Sequence, residues 1–314
     1  MHLKKEEFEE MMLFLEKSYD HPHYLFPQYY PHVWRKDTIQ YKNRIIAKER
    51  NKIVSHVGIF PLTVVVENIQ IKMGGIGGVA TLPEFRGRGH MTRLMDYCIQ
   101  KMREDGYSIS TLWGNRERYG NFGYEVAGEE VIFKFSKRSL KRNVELFPVN
   151  VTRLEEKKGL IEKIIFIHKN EPLHIKRKER DYALIFAKPN LITLLAEKKG
   201  KFAYVSFYSP YPSLLKTLAE CGGNPRVLFS LIYAVLEKWK TESVEIPFSC
   251  YPTEMFFSLL EASSSWYIRP LGLIKILNLR ETINSYSSII EKKAQKLGLK
   301  GTLTLGIKGK KEKI

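Results

Sequence analysis

Residues 79–95 read Val-Ala-Thr-Leu-Pro-Glu-Phe-Arg-Gly-Arg-Gly-His-Met-Thr-Arg-Leu-Met. Val79–Leu82 predicts a short buried strand, Pro83-Glu84-Phe85 a turn, and Arg86-Gly87-Arg88-Gly89 the entry into a helix at His90. That helix is the clearest in the chain. Over 89–105, Met91, Leu94, Met95, Cys98, Ile99 and Met102 form one apolar stripe, and Gly106 stands where a C-terminal cap belongs. The first amides of a helix have no partner inside it. Together with the positive end of the helix dipole they attract anions. Two glycines permit close backbone approach, and Arg86, Arg88 and Arg93 add positive charge. The stretch reads as a pyrophosphate cradle lacking the lysine of a P-loop. The alternative reading is a glycine-rich turn with exposed arginines.

Immediately upstream, Gly75-Ile-Gly77-Gly-Val-Ala80 has the spacing of a dinucleotide-binding fingerprint. That fingerprint requires a strand before it and a helix opening within it. Here a strand follows and Pro83 comes three residues after Ala80, so the glycines are expected to relieve crowding in a bulged or bent strand. Further out, apolar periodicity predicts a helix over 3–19. A Pro- and aromatic-rich loop is expected over 21–32, and strands at 44–49, 53–66 and 69–73. After the central helix come a strand at 108–113, a loop or short helix at 114–123, and a strand at 124–135.

The second half repeats this alternation. It predicts a strand at 149–153, helices at 160–168 and 177–187, and a hairpin of 191–197 with 202–209. Asn224-Pro225 opens a helix to Lys240, with Asn as N-cap and Pro in the first turn. A strand at 244–248, a helix at 253–262, a strand at 268–277, a helix at 279–297 and a strand at 301–307 complete the reading.

The central segment resembles the acetyl-CoA-binding motif of the GNAT acetyltransferase superfamily, R/Q-x-x-G-x-G/A. Arg86, Gly89 and Met91 occupy its fixed positions, with Met91 standing where the family has Gly or Ala. Tyr119-Gly-Asn-Phe-Gly-Tyr124-Glu resembles the Y-x-x-F-G-Y-x signature that follows it. The length and layout are similar to those of the enhanced intracellular survival (Eis) branch. The resemblance implies an α/β fold of tandem GNAT-like domains, each a mixed central sheet flanked by helices, with a short C-terminal remnant similar to a sterol carrier protein. The expected boundaries are 1–145 for the acetyltransferase domain, 146–274 for a degenerate GNAT-like domain and 275–314 for the opening of the third module. In the second half, Cys221-Gly-Gly-Asn-Pro-Arg226 lacks R-x-x-G-x-G, and Pro225 removes an amide, so that turn is expected to be structural.

The implied activity is transfer of an acetyl group from acetyl-CoA to a primary amine of a small molecule or peptide by direct attack. The implied cofactor site is Val79, Ala80, Thr81, Arg86, Gly87, Arg88, Gly89, His90, Met91 and Thr92, with Gly114 and Asn115. A backbone amide within Val79–Thr81 would meet the thioester oxygen. Tyr119 would protonate the departing thiolate, and Tyr124 would pack. An alkyl amine has a pKa of ~10, so a base or water relay must take its proton. His56, Glu117 and His32 are candidates by residue type alone, and the branch's terminal carboxylate would fall on Ile314. Cys98 lies on the apolar stripe and is expected in the core. A catalytically weak acyl-CoA-binding or regulatory protein on the same fold is the competing reading, and retention of Tyr119 argues against it.

Composition narrows the field. A chain of 314 residues suggests about two domains, and 44% hydrophobic with 27% charged residues excludes wholesale disorder. Cys98, Cys221 and Cys250 have no zinc or disulfide spacing, so no metal is expected, and a reducing cytoplasm is the default. The N-terminus has no apolar core of a leader, and the apolar stretches are all interrupted, so no membrane segment is expected. The net charge of +17 is compatible with nucleic acid. The basic tail from Lys292 to Lys313 has no aromatic residue, which ranks that partner last. A homo-oligomer is left open.

Overall fold

A turn at Glu67-Asn68, with Glu67 at φ +53°, folds residues 52–81 into a long antiparallel hairpin. The computed structural model describes residues 1–208 and 217–302. By contacts these form two units: Met1–Pro27, Val33–Ala127 and Gly272 onward in the first, and Gln28–His32 with Gly128–Leu271 in the second. The expected strand at 301–307 and the chain end at Ile314 lie largely outside the described residues.

In the first unit, strands β1 (Arg44–Glu49), β2 (Lys52–Val66), β3 (Ile69–Thr81) and β4 (Ile109–Leu112) lie in sequence order across the sheet. Leu273–Ile276 pairs antiparallel with β4. The β3–β4 pairing is parallel and covers only Met73–Ile76 against Ile109–Leu112. Beyond Ile76, β3 continues for five residues past the end of β4, which leaves a gap, the wedge, along that edge. Helix His90–Glu104 buries Leu94, Met95, Cys98 and Met102 against this sheet. Gly74 lets it approach, because a Cβ there would fall 2.2 Å from Met102 Sδ. Helix Phe8–Tyr19 buries Phe8, Met11, Met12 and Leu15 in a separate cluster.

The glycine run lies inside one strand, where the sequence suggested two short ones. Its irregularity is a bulge. From His56 to Gly58 β2 advances two residues, while its partner advances three, from Ala80 to Gly77. The extra residue shifts the alternation of faces. Ile76 and Val79, three apart, therefore pack in the same cluster as helix His90–Glu104, and Ala80 and Leu82 pack with helix Phe8–Tyr19. Gly78 sits at φ +60°, where a Cβ would be 2.9 Å from the Trp34 ring and 3.0 Å from the His56 ring. Val79–Thr81 is half-buried, not the buried strand expected, because one edge faces the wedge.

Residues 21–32, expected as a loop, include helix Leu25–Tyr29, and Pro31 opens helix Pro31–Trp34. Proline is favourable at a first helical position, so its presence there does not argue for a loop.

The chain leaves the first unit within β5 (Glu125–Ser136) and returns within β12 (Ser265–Ile276). Between them lie β6 (Asn150–Arg153), β7 (Leu173–Ile175), β8 (Leu191–Lys198), β9 (Lys201–Tyr208), β10 (Glu220–Gly223) and β11 (Ser243–Ser249). An antiparallel sheet has the order β10-β9-β8-β6, and β11 pairs antiparallel with β5. Helix Pro225–Lys238 buries Leu228, Leu231 and Ile232 with Ala203, Val205 and Phe207 of β9. Sequence periodicity passed over β7, β10 and helix Lys137–Asn143. The two strands are three and four residues long, and the helix is signalled chiefly by the reciprocal Ser136–Ser139 cap.

Candidate active site

The wedge beside β3 holds a cavity of about 620 Å³. Nine of the residues expected to bind cofactor line it: Val79, Ala80, Thr81, Arg86, Gly87, Gly89, His90, Met91 and Thr92. Ser18, Tyr19, Phe85 and Arg118 complete the wall. Arg88, Gly114, Asn115 and the expected acid Tyr119 stand outside this lining, Tyr119 being next in the chain to its Arg118.

Gly87 and Gly89 adopt φ +78° and +72°, and a Cβ on either would meet nothing within 4 Å. These glycines therefore provide both the left-handed turn and empty space in front of the helix. Gly89 is the N-cap residue of helix His90–Glu104, and no side chain caps the helix start. The free amides face open space, as an anion site requires.

The arginines are more committed than the sequence suggested. Arg88 pairs with Glu49 Oε2 at 2.9 Å and lies over the Phe85 ring. Glu49 Oε1 is 2.7 Å from His90 Nε2, and Arg93 Nη2 is 3.1 Å from His90 Nδ1. An arginine can only donate, so Nδ1 accepts and Nε2 carries the proton given to Glu49. Glu49 and His90 thus tie the turn to the end of β1. Arg86 Nε donates to Thr81 O at 3.3 Å.

The edge of β3 that faces the wedge is selective. Tyr19 Oη donates to Val79 O at 2.9 Å, and Arg86 occupies Thr81 O. Leu82 N donates to Val54 O on the β2 side. Successive residues of a strand point opposite ways, so the Thr81 N–H points into the wedge. Carbonyls on this edge are occupied, while an amide donor remains available to a thioester oxygen.

Tyr119 lies on the short helix Arg116–Gly120, capped by Asn115 Oδ1 accepting from Arg118 N at 3.2 Å. Gly114 makes room for its ring, since a Cβ there would be 2.3 Å from the ring edge. Asn115 and Gly114 thus position Tyr119. Burial raises the Tyr119 pKa, opposed by the charge and hydrogen bond of Arg118. Burial also pushes the Tyr19 phenol up to about 12, helped by its interaction with Tyr119. Both phenols keep their protons at neutral pH. Tyr124 is fully buried and bonds Ser110 Oγ at 2.7 Å, and Ser110 donates to Gly74 O. Cys98 is fully buried, with its thiol pushed up to about 12.

The base candidates separate clearly. Burial pushes His56 down to about 3, so it is neutral, and its Nδ1 donates to Gly78 O at 2.6 Å. It holds the bulge. Glu117 is exposed on the short helix. His32 clusters with the second unit, and burial pushes it down to about 4.

Residues 1–127 match the family model of the acetyltransferase (GNAT) domain. Residues 1–127 are a GNAT acetyltransferase domain. The chain therefore carries an acyltransferase domain. A GCN5-related N-acetyltransferase from Kribbella flavida shares its fold at a TM-score of 0.68 and 18% identity, over 91% of this chain and 72% of that one. A probable N-acyltransferase from Enterococcus faecalis V583 does so at 0.71 and 15%, over 91% and 74%. Eis1 from Mycobacterium abscessus does so at 0.63 and 13%, over 88% and 73%. No curated protein matches the chain. Among the described residues no helix is long and apolar enough to cross a membrane.

Sequence reasoning missed Tyr19, Glu49 and Arg118 in this GNAT domain. Arg118 had a signal, because it adjoins Tyr119 on a helix one turn long. Tyr19 ends a helix some sixty residues before its partner Val79 and carried none.

Proposed function

We propose that the GNAT domain transfers the acetyl group of acetyl-CoA directly to a primary amine of a small molecule or peptide, with Tyr119 as the acid. The observation that supports this reading is the edge of β3, whose carbonyls are occupied by Tyr19 and Arg86 while the Thr81 amide points into the cavity. The pyrophosphate of the cofactor rests on the amides of Gly89, His90, Met91 and Thr92. The thioester then lies along Val79–Thr81, where an amide stabilises the oxygen as charge develops. Attack by the neutral amine forms the C–N bond and expels thiolate.

A thiol has a pKa of ~8.5 and an unperturbed tyrosine ~10. Proton transfer from Tyr119 to the thiolate is therefore uphill by about 2 kcal/mol for unperturbed groups. Arg118 reduces that cost by donating to the phenolate as it forms. The amine's proton leaves through water, because His56 is buried in its contact with Gly78.

The test incubates the protein with acetyl-CoA and a panel of amines, aminoglycosides and peptides, reading free thiol. Acceptor-dependent thiol release is expected. CoA binding without release on any acceptor would favour a binding protein on the same fold.

A further inference from the structure

The second unit has a cavity of its own, about 430 Å³, beside β10. Its size is typical of small-molecule sites. One wall is a fixed polar network. Arg177 donates to both Glu220 oxygens at 3.0 and 2.8 Å, and Tyr204 Oη donates to Oε1 at 2.7 Å. Buried ion pairs add little net stability against an apolar packing. This one lies on a cavity wall, where it fixes Tyr204 and Arg177 in place.

Glu171 and His174 add two acceptors to the wall. Glu171 follows helix Leu160–Lys169, and burial alone raises its pKa. Among the described residues nothing is seen to donate to its carboxylate. Gly222 leaves it room: a Cβ there would lie 3.7 Å from Oε1. His174 Nδ1 is 2.6 Å from Glu171 O. A carbonyl only accepts, so Nδ1 carries the proton and Nε2 is left as an acceptor. His168, which holds Tyr182 through Nδ1, is kept neutral by burial and by the charge of Arg177, with its pKa pushed down to about 4. Arg177 is paired with Glu220, which leaves the Glu171 carboxylate with no lysine or arginine of its own among the lining residues.

A cation carrying N–H donors would give the Glu171 carboxylate a partner. A metal ion does not fit, because among the described residues no group of three His, Cys, Asp or Glu stands together to hold one. Phe248 and Tyr251 add aromatic surface, which attracts organic cations. We infer that this cavity binds a small organic ammonium ion, with Glu171 as its counter-ion and His174 Nε2 as a further acceptor. The inference is independent of the acyl-transfer reading, since every lining residue belongs to the second unit.

Calorimetric titration of the full chain with benzylamine, benzyl alcohol and benzoate tests it. Benzylamine should bind at least tenfold more tightly than benzyl alcohol, and benzoate should not bind. Glu171→Gln should weaken benzylamine by tenfold or more, the weight of one charged hydrogen bond, and leave acetyl-CoA binding unchanged. Tyr119→Phe should leave benzylamine binding unchanged. Histidine-selective NMR of the wild-type chain should show the His174 ring signals moving with benzylamine. Equal affinity for the amine and the alcohol, or a static His174 signal, overturns the inference without relying on any variant. So does wild-type affinity in Glu171→Gln.

Discussion

Two turns in this molecule join a strand to a long helix through glycines, and they do opposite things. Before helix His90–Glu104, Gly87 and Gly89 face empty space and no side chain caps the helix. Before helix Pro225–Lys238, Gly223 at φ +108° is packed against β9, where a Cβ would fall 2.3 Å from Phe202 O. There Asn224 Oδ1 accepts from Val227 N, and Pro225 has no amide to offer. The first turn is open and has donors to spare. The second is closed by its own chain. Glycine at a helix start thus signals a ligand only when the cap is missing and the space is free.

The largest effect expected lies at Tyr119, which adjoins Arg118 of the cavity wall beside the open turn. Tyr119→Phe should hold CoA affinity and lower turnover by about 10²–10⁴, the usual worth of a positioned acid. Tyr124→Phe loses one buried hydrogen bond, about 1 kcal/mol of stability, with a much smaller kinetic cost. Equal turnover losses accompanied by lowered melting temperatures would make the 114–124 segment structural and leave the acid unassigned.

Next is Gly89→Glu, which places a carboxylate where the pyrophosphate would rest. CoA affinity should fall by about a hundredfold or more, as like charge replaces a charge-assisted contact. The fold should lose only the left-handed backbone penalty of about 1–2 kcal/mol. Calorimetry on the wild type should give one CoA per chain, and two would dissolve the distinction between the turns. The smallest effects belong to the closed turn. Gly223→Ala meets backbone and should cost about 3 kcal/mol, combining strain and overpacking, while Asn224→Ala should cost about 1 kcal/mol. Neither should change CoA affinity. A Gly87→Ala variant as unstable in thermal denaturation as Gly223→Ala would show that the open turn is packed after all.

The open turn was legible because its evidence is local. Glycines, arginines and an apolar stripe at helical spacing lie within some thirty residues, and the mixed α/β fold follows from that alternation. What the sequence hid is held across distance. Glu49 locks His90 from forty-one residues away, and Tyr19 reaches Val79 across sixty. Hydrogen bonds between elements leave no periodicity to read. His56 was a plausible base by type, and only its burial shows that it serves the bulge. Alternation also misleads after Gly78, because the extra residue reverses which side chains face each helix.

That extra residue has a further consequence. The bulge lies where β3, still paired with β2, has run past the end of β4 and presents the edge along which an acyl group would lie. A residue in a strand advances about 3.3 Å, roughly twice a carbon–carbon bond of ~1.5 Å. Moving the bulge one position along β3 would displace the reacting edge by that step relative to the anchored helix start, while the turn and helix stay as they are. The strand therefore works as a ruler with coarse divisions, and Gly78 sets its zero.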